Sequence, residues 1–171
     1  YGGTASGVMA ALAAEKEGST VMRIEPTRCV GGMTGGGINH SDWGKGETVG
    51  GSTYKILMEG LKDQKRAHGG HAKYGIGNKQ YRERFKKLVK DRGITVIYDH
   101  RVGKVQVGDV TINKPTREQP IALGEKIVSK NKNNFIQSII LDYAPVDETG
   151  CPIPVPKKRN VITVSAKVFI D

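Results

Sequence analysis

The sequence is poor in cysteine, in aromatic residues and in long apolar runs, and each shortage excludes a class of protein. Its 171 residues include two cysteines, Cys29 and Cys151, and no Cys-x-x-Cys pair, which excludes a disulfide framework and a dithiol redox motif. Aromatic residues make up 6%, too few to interleave with the basic segments as in proteins that stack nucleic-acid bases. No apolar run approaches the roughly 20 residues of a membrane-spanning helix, so no membrane partner is expected.

A recognisable targeting segment is also missing. The chain does not begin with methionine, and it shows no basic stretch followed by an apolar one. Two separated cysteines fit a reduced intracellular setting, which favours the cytoplasm, although the sequence identifies no compartment. The content of 37% hydrophobic and 26% charged residues is typical of a globular protein, and the length suffices for one domain with a core.

Basic residues are in surplus, and the formal net charge is +10. Such a surplus can indicate a nucleic acid or another polyanion as partner. The basic residues concentrate in "KDQKRAHGGHAKYG", "KQYRERFKKLVKDR" and "PKKR". We interpret them as solvated faces with cations near a helix C-terminus, where they are favourable. We therefore expect no nucleic-acid partner, and a basic polyanion-binding protein stays open as an alternative function.

The order of helix and strand signals indicates an α/β protein. The alanine-rich segment from Ala5 to Glu17 predicts a helix that Gly18 ends, and "STVMRIE" predicts a strand that is apolar on both faces. The same order returns further on, where an amphipathic helix ends at Gly93 and "ITVIYD" predicts a strand. After His100 the alternating segments "RVGKVQVG", "FIQSIILDYAPV" and "NVITVSAKVFID" predict further strands.

These elements predict a Rossmann-like βαβ portion with an attached antiparallel β-meander. We place the βαβ portion at residues 1–106. Residues 107–171 are assigned to the meander and a return strand of the same domain. The glycine-rich segment "CVGGMTGGGINH" between the two helical regions is predicted to be a loop.

The opening "YGGTASG" follows the spacing of the G-x-G-x-x-G turn, which binds a dinucleotide diphosphate between a strand and a helix. Gly2, Thr4 and Gly7 occupy the three glycine positions, so a threonine replaces the middle glycine. The amides of the helix that follows, from Ala5 to Gly7, are placed to stabilise an anion. Glu25 lies about 20 residues on, at the end of the next strand, where an acid accepts hydrogen bonds from a ribose diol. For the glycines alone, a structural turn without a ligand is the alternative.

Together with "EPTRCVGGMTGGGI", this opening resembles the N-terminal FAD-binding region of FAD-dependent oxidoreductases with a glutathione-reductase-like Rossmann domain. It is most similar to the group whose first turn reads G-G-T-x-x-G. The segments "YRERFKKLVKDRGITVIYDHRVGKV" and "ITVSAKVFID" also resemble that family. The resemblance implies FAD as cofactor, redox chemistry carried by the flavin, and a small-molecule substrate that the sequence does not name. NAD would use the same turn and acid, but the "GGMTGGG" segment favours FAD.

The family pattern also implies which residues contact FAD. The first turn would hold the diphosphate, and the acid would hold the adenosine ribose. The second glycine segment would line the diphosphate and the edge of the flavin. One strand residue would contact the adenine through its backbone. In chain order these residues are Gly2, Gly3, Thr4, Ala5, Ser6, Gly7, Glu25, Pro26, Arg28, Gly31, Gly32, Met33, Thr34, Gly37 and Val102. No catalytic residue is implied.

The resemblance further leads us to expect a fragment. The family's first strand would precede Tyr1, and its substrate region would follow Asp171. A truncated remnant that binds no cofactor is therefore a further alternative.

Other polar residues are weaker candidates. His40 and Asp42 follow the second glycine segment, where an acid–base role is open and an ordinary loop role is the simpler interpretation. His68 and His71 in "HGGH" provide only two metal ligands, so no metal site is predicted.

Overall fold

The computed structural model of the chain describes residues 1–36, 50–52, 54–56, 78–113 and 135–171. The chain divides into two compact units. The first, here called the glycine-turn unit, comprises Gly2–Glu25 and Cys29–Ile97, and the second, the antiparallel unit, comprises Tyr1, Pro26–Arg28 and Tyr98–Asp171. The elements are α1 (Ala5–Lys16), β1 (Met22–Glu25), α2 (Gly32–Gly36), α3 (Asn78–Asp91), β2 (Thr95–Tyr98), β3 (His100–Val107), β4 (Val110–Asn113), β5 (Ile136–Tyr143) and β6 (Lys157–Ser165). This mixture of helices and strands confirms the α/β class, while the predicted division at residues 106 and 107 stays a prediction.

Helix α1 starts and stops at the signals that the sequence carries. Thr4 is its N-cap: the Thr4 hydroxyl accepts a hydrogen bond of 3.1 Å from the Gly7 amide. At the other end Gly18 has φ of +83°, a left-handed conformation that glycine adopts without steric cost. The Gly18 amide donates to the carbonyl of Glu15 at 2.9 Å, so a carbonyl of the last turn is satisfied.

Helix α3 buries one stripe of apolar residues, as its periodicity predicts. Tyr81, Phe85 and Val89 are spaced four residues apart, and each is at most 4% exposed. Gly93, with φ of +65°, ends the helical region, and β2 follows. In the described part of the glycine-turn unit, β1 and β2 are hydrogen-bonded neighbours. The buried apolar residues of this unit are Val8, Ala11, Ile24, Val30, Tyr81, Phe85, Val89 and Ile94.

The described part of the antiparallel unit contains a sheet in the order β4-β3-β5-β6, and all three pairings are antiparallel. The antiparallel character agrees with the predicted meander, but the order is not sequential, because β3 lies between β4 and β5. The register of β3 against β5 shifts at Gly103. A side chain there would overlap the carboxylate of Asp142, so the glycine permits the close approach.

The segment predicted as a glycine-rich loop is helical over Gly32–Gly36, so the loop prediction is wrong there. Gly31 turns the chain into this helix with φ of +106°, and its carbonyl accepts a hydrogen bond of 3.2 Å from the Gly35 amide. A side chain on Gly35 would overlap the carbonyl oxygen of Val30. The helix therefore exists because these glycines allow a turn of backbone tighter than other residues permit.

A turn in the antiparallel unit collects hydrogen bonds on one carboxylate oxygen. Asp147 Oδ1 accepts from the hydroxyl of Thr149 at 2.6 Å, from the Thr149 amide at 2.9 Å and from the Cys151 amide at 3.1 Å. These bonds favour the ionised form, and they lower the pKa of Asp147, the Thr149 hydroxyl contributing most.

We expect Asp147→Ala to lower stability at pH 7 and to have less effect in acid. The carboxylate has a lower pKa in the folded chain than in the unfolded chain. Its stabilisation is therefore present above the unfolded pKa, and it is lost as the pH falls below about 4 through the folded value. Urea unfolding at pH 7 and at pH 3 measures the difference between variant and parent. Glu148→Ala, at the exposed acid next along the chain, is the control, and an equal pH dependence for both variants would contradict the assignment.

Candidate functional site

The two glycine segments of the sequence lie side by side in the glycine-turn unit. The Gly31 amide donates to the carbonyl of Gly3 at 2.6 Å, and Thr4 and Gly31 form a parallel β-bridge. A side chain on Gly32 would begin 3.2 Å from the α-carbon of Thr4, which shows how closely the two backbones approach. Segments separated by more than twenty positions in the chain thus form one surface of backbone groups.

The carboxylate of Glu25 faces the first glycine turn. The Gly3 amide donates a hydrogen bond to Glu25 Oε2, and a side chain on Gly3 would overlap that carboxylate. The turn is also tied to β1 by the Gly2 amide, which donates to the carbonyl of Ile24 at 2.9 Å. Glu25 is 6% exposed, so its charge is held in the protein interior beside the turn. The sequence predicts this pairing of turn and acid, and the structure brings both together.

The N-terminus of α1 provides the positive end of a helix dipole at the same turn. Thr4 and Ser6 are exposed, and their hydroxyl oxygens lie 3.1 Å apart. The Gly7 amide, which the sequence predicts as an anion donor, donates to the Thr4 hydroxyl instead. A side chain on Gly7 would meet the Gly2 carbonyl oxygen at 2.6 Å, so the glycine is required for the close packing of the turn.

Sequence reasoning missed Arg23, the only charged residue besides Glu25 in the four residues of β1. The side chains of Arg23 and Glu25 are two positions apart and so lie on one face of the strand. Arg23 is 5% exposed, and its guanidinium lies against Gly7: a side chain on Gly7 would meet Nη2 at 2.7 Å and Nη1 at 3.0 Å. The sequence signal that could have identified Arg23 is an arginine inside a strand that is predicted to be buried on both faces.

The guanidinium of Arg23 is incompletely paired. Its Nε and Nη2 atoms are buried and have no hydrogen-bond partner among the residues that the structure describes. Burial lowers the pKa of Arg23, and the carboxylate of Glu25 opposes this by stabilising the charged form. The guanidinium stays protonated in either case, so the turn contains a buried positive charge.

Three predicted site residues belong to the antiparallel unit. Pro26 is half-buried, and Val102 pairs with Leu141 across the sheet. Arg28 forms a two-pronged ion pair with Asp99, in which Nε and Nη2 donate to the carboxylate at 2.9 to 3.1 Å. This pairing raises the pKa of Arg28, chiefly through the hydrogen bond to Asp99.

The remaining candidates lie in α2 or outside the described residues. Met33 is exposed and Thr34 half-buried, both in α2. Gly37 lies outside the described residues, as do four polar candidates, His40, Asp42, His68 and His71. In the part of the chain that is described, no three His, Cys, Asp or Glu side chains gather as metal ligands do. The described helices also include none with the length and apolarity to cross a membrane.

Comparison with known proteins identifies the family. The model of the FAD dependent oxidoreductase family matches residues 1–128. The chain therefore belongs to the FAD-dependent oxidoreductases, as the resemblance in the sequence predicts, and the family implies FAD as its cofactor. No curated protein matches the sequence. Among solved structures, the crystal structure of THI4 from Thermovibrio ammonificans is similar, with 16% identity and a TM-score of 0.48. The alignment covers 83% of this chain and 45% of that one, so this chain spans less than half the length of that structure.

Proposed function

We propose that this chain is the cofactor-binding part of a flavoenzyme of the glutathione-reductase-like Rossmann type, and that the G-G-T-x-x-G turn holds the ADP moiety of FAD. The observation that carries the proposal is the hydrogen bond from the Gly3 amide to the carboxylate of Glu25. It places an acid that suits a ribose diol beside a helix N-terminus that suits a phosphate. In ADP these two chemical groups are neighbours.

The charge of the site supports a diphosphate as the second group. The positive end of the α1 dipole and the guanidinium of Arg23 lie at one turn, and the nearby carboxylate of Glu25 offsets only part of this charge. Helix amides and an incompletely paired cation are groups that bind phosphate oxygens. The residues present therefore fit the diphosphate and ribose of a dinucleotide.

Bound FAD supplies the electron-transfer chemistry, and the residues of this chain bind and orient the nucleotide. In this proposal Glu25 accepts hydrogen bonds from the ribose diol, and the amides of Ala5 and Ser6 at the start of α1 donate to the diphosphate. The segment from Gly31 to Thr34 lines the path toward the flavin. The whole enzyme would oxidise or reduce a small molecule.

Titration of the 171-residue chain with FAD, followed by flavin absorbance and by thermal unfolding, tests the proposal. We expect FAD and ADP to raise the unfolding temperature and to compete for one site, because both contain the ADP moiety. FMN, which lacks adenosine, is the control and should compete poorly. A chain that neither FAD nor ADP stabilises would support the non-binding remnant instead.

A further inference from the structure

The guanidinium of Arg23 is an unusual occupant of its position. It is at least nine-tenths buried, and it lies under the first turn of α1, a twelve-residue helix, against Gly7. The positive end of the helix dipole makes this a poor place for a cation. A residue that served the fold alone would be expected to complete its hydrogen bonds with carbonyl oxygens, since an unpaired buried donor costs free energy.

The carbonyl oxygen of Gly2, which also lies against Gly7, does not complete those bonds. A β-carbon added to Gly7 would lie 2.6 Å from the Gly2 carbonyl oxygen and 2.7 Å from Arg23 Nη2. Both atoms therefore lie next to the same position. Even so, neither Nε nor Nη2 of Arg23 donates to any acceptor in the described part of the chain. Glu25, on the same face of β1, interacts with Arg23 through its charge, and it also accepts the Gly3 amide.

We propose that Arg23 binds the diphosphate of the nucleotide, supplying a positive charge and the Nε and Nη2 donors from beneath the turn. This inference rests on the proposed nucleotide site. It adds a residue that the glycine-turn pattern does not contain. Two negative charges of a diphosphate would offset the helix dipole and the guanidinium together, and a planar guanidinium presents paired donors to phosphate oxygens.

The proposal predicts opposite effects of Arg23→Met with and without ligand. Methionine has a similar length and no charge, so it removes the desolvation cost of a buried guanidinium. Without nucleotide we expect the variant to be at least as stable as the parent in urea, because the desolvation cost of the guanidinium outweighs its attraction to Glu25, and the carboxylate left behind still accepts the Gly3 amide. With ADP or FAD we expect affinity to fall about 10- to 100-fold, the usual effect of losing a hydrogen bond to a charged group. Affinity for adenosine, which has no phosphate, should be unchanged.

Calorimetric titration of parent, Arg23→Met and Arg23→Lys with ADP, FAD and adenosine separates the possible results. Arg23→Lys keeps the charge and should retain part of the affinity for ADP. If Arg23→Met binds ADP within twofold of the parent, Arg23 has no part in phosphate binding and the inference is overturned while the nucleotide site stands. If Arg23→Met is clearly less stable than the parent without ligand, Arg23 acts in the fold and the inference is likewise overturned. A parent chain that binds no nucleotide would instead reject the proposed function.

Discussion

Gly31→Ala is expected to destabilise the chain by about 3 kcal/mol, from backbone strain and overpacking together. Gly31 has φ of +106°, where any residue with a side chain is strained. The added methyl group would also overlap the Phe85 ring, with Cε2 only 2.8 Å away. Phe85 is 2% exposed and sits in the core of the glycine-turn unit, so it has little room to move. Because Gly31 pairs with Thr4 and Gly3, the strain acts directly on the contact between the two glycine segments.

A neighbouring glycine provides the matched control. A side chain on Gly36 would meet the Cys29 Cβ at 3.6 Å, an ordinary van der Waals distance, and its φ is not left-handed. We therefore expect Gly36→Ala to be neutral or slightly stabilising, since alanine favours a helix by up to about 1 kcal/mol over glycine. Urea unfolding of both variants measures the difference. Equal midpoints for Gly31→Ala and Gly36→Ala would show that the contact with Phe85 does not constrain this turn.

Much of this fold follows from local signals. Helix α1 has alanines, a threonine cap and a terminal glycine, and each of these acts within a few residues of the position it specifies. Helix α3 is specified by apolar residues at a spacing of four, ending before Gly93. The pairing of the first turn with Glu25 follows from a motif whose spacing is fixed by the length of a helix and a strand.

Other features depend on contacts between distant residues and were missed. In the sequence, Arg23 is only a polar residue within an apolar strand. Its importance follows from the position of its guanidinium against Gly7, which the structure shows. Helix α2 is rich in glycine although glycine is a poor helix former, and the space around Gly31 and Gly35 admits no side chain. This packing is not visible in the sequence. Strand β4 was also missed, although its signal in the sequence is local. Gly108 and Asp109 form a two-residue hairpin loop between Val107 and Val110, and Gly108 has φ of +57°.

Glu25→Ala is expected to cost about 3 kcal/mol even without a cofactor. The substitution leaves the buried Gly3 amide without its acceptor, which costs about 1 to 3 kcal/mol. It also removes the carboxylate that stabilises the charge of Arg23 in the interior, and breaking a buried charge pair is strongly destabilising. Glu25→Gln keeps an acceptor oxygen and loses only the charge, so its cost should be smaller. Glu17→Gln, at an exposed acid after α1, should leave stability unchanged.

The double variant Glu25→Ala with Arg23→Met separates these two contributions. If the cost of Glu25→Ala comes partly from the cation left behind, removing that cation should recover about 1 kcal/mol or more, and the two changes should be non-additive. If the cost comes from the Gly3 amide alone, the free-energy changes of the two single variants should add in the double variant. Urea unfolding of the four chains at pH 7 gives this coupling free energy. An additive result would mean that Glu25 and Arg23 act independently, with the acid positioned by the turn and the arginine by its own packing.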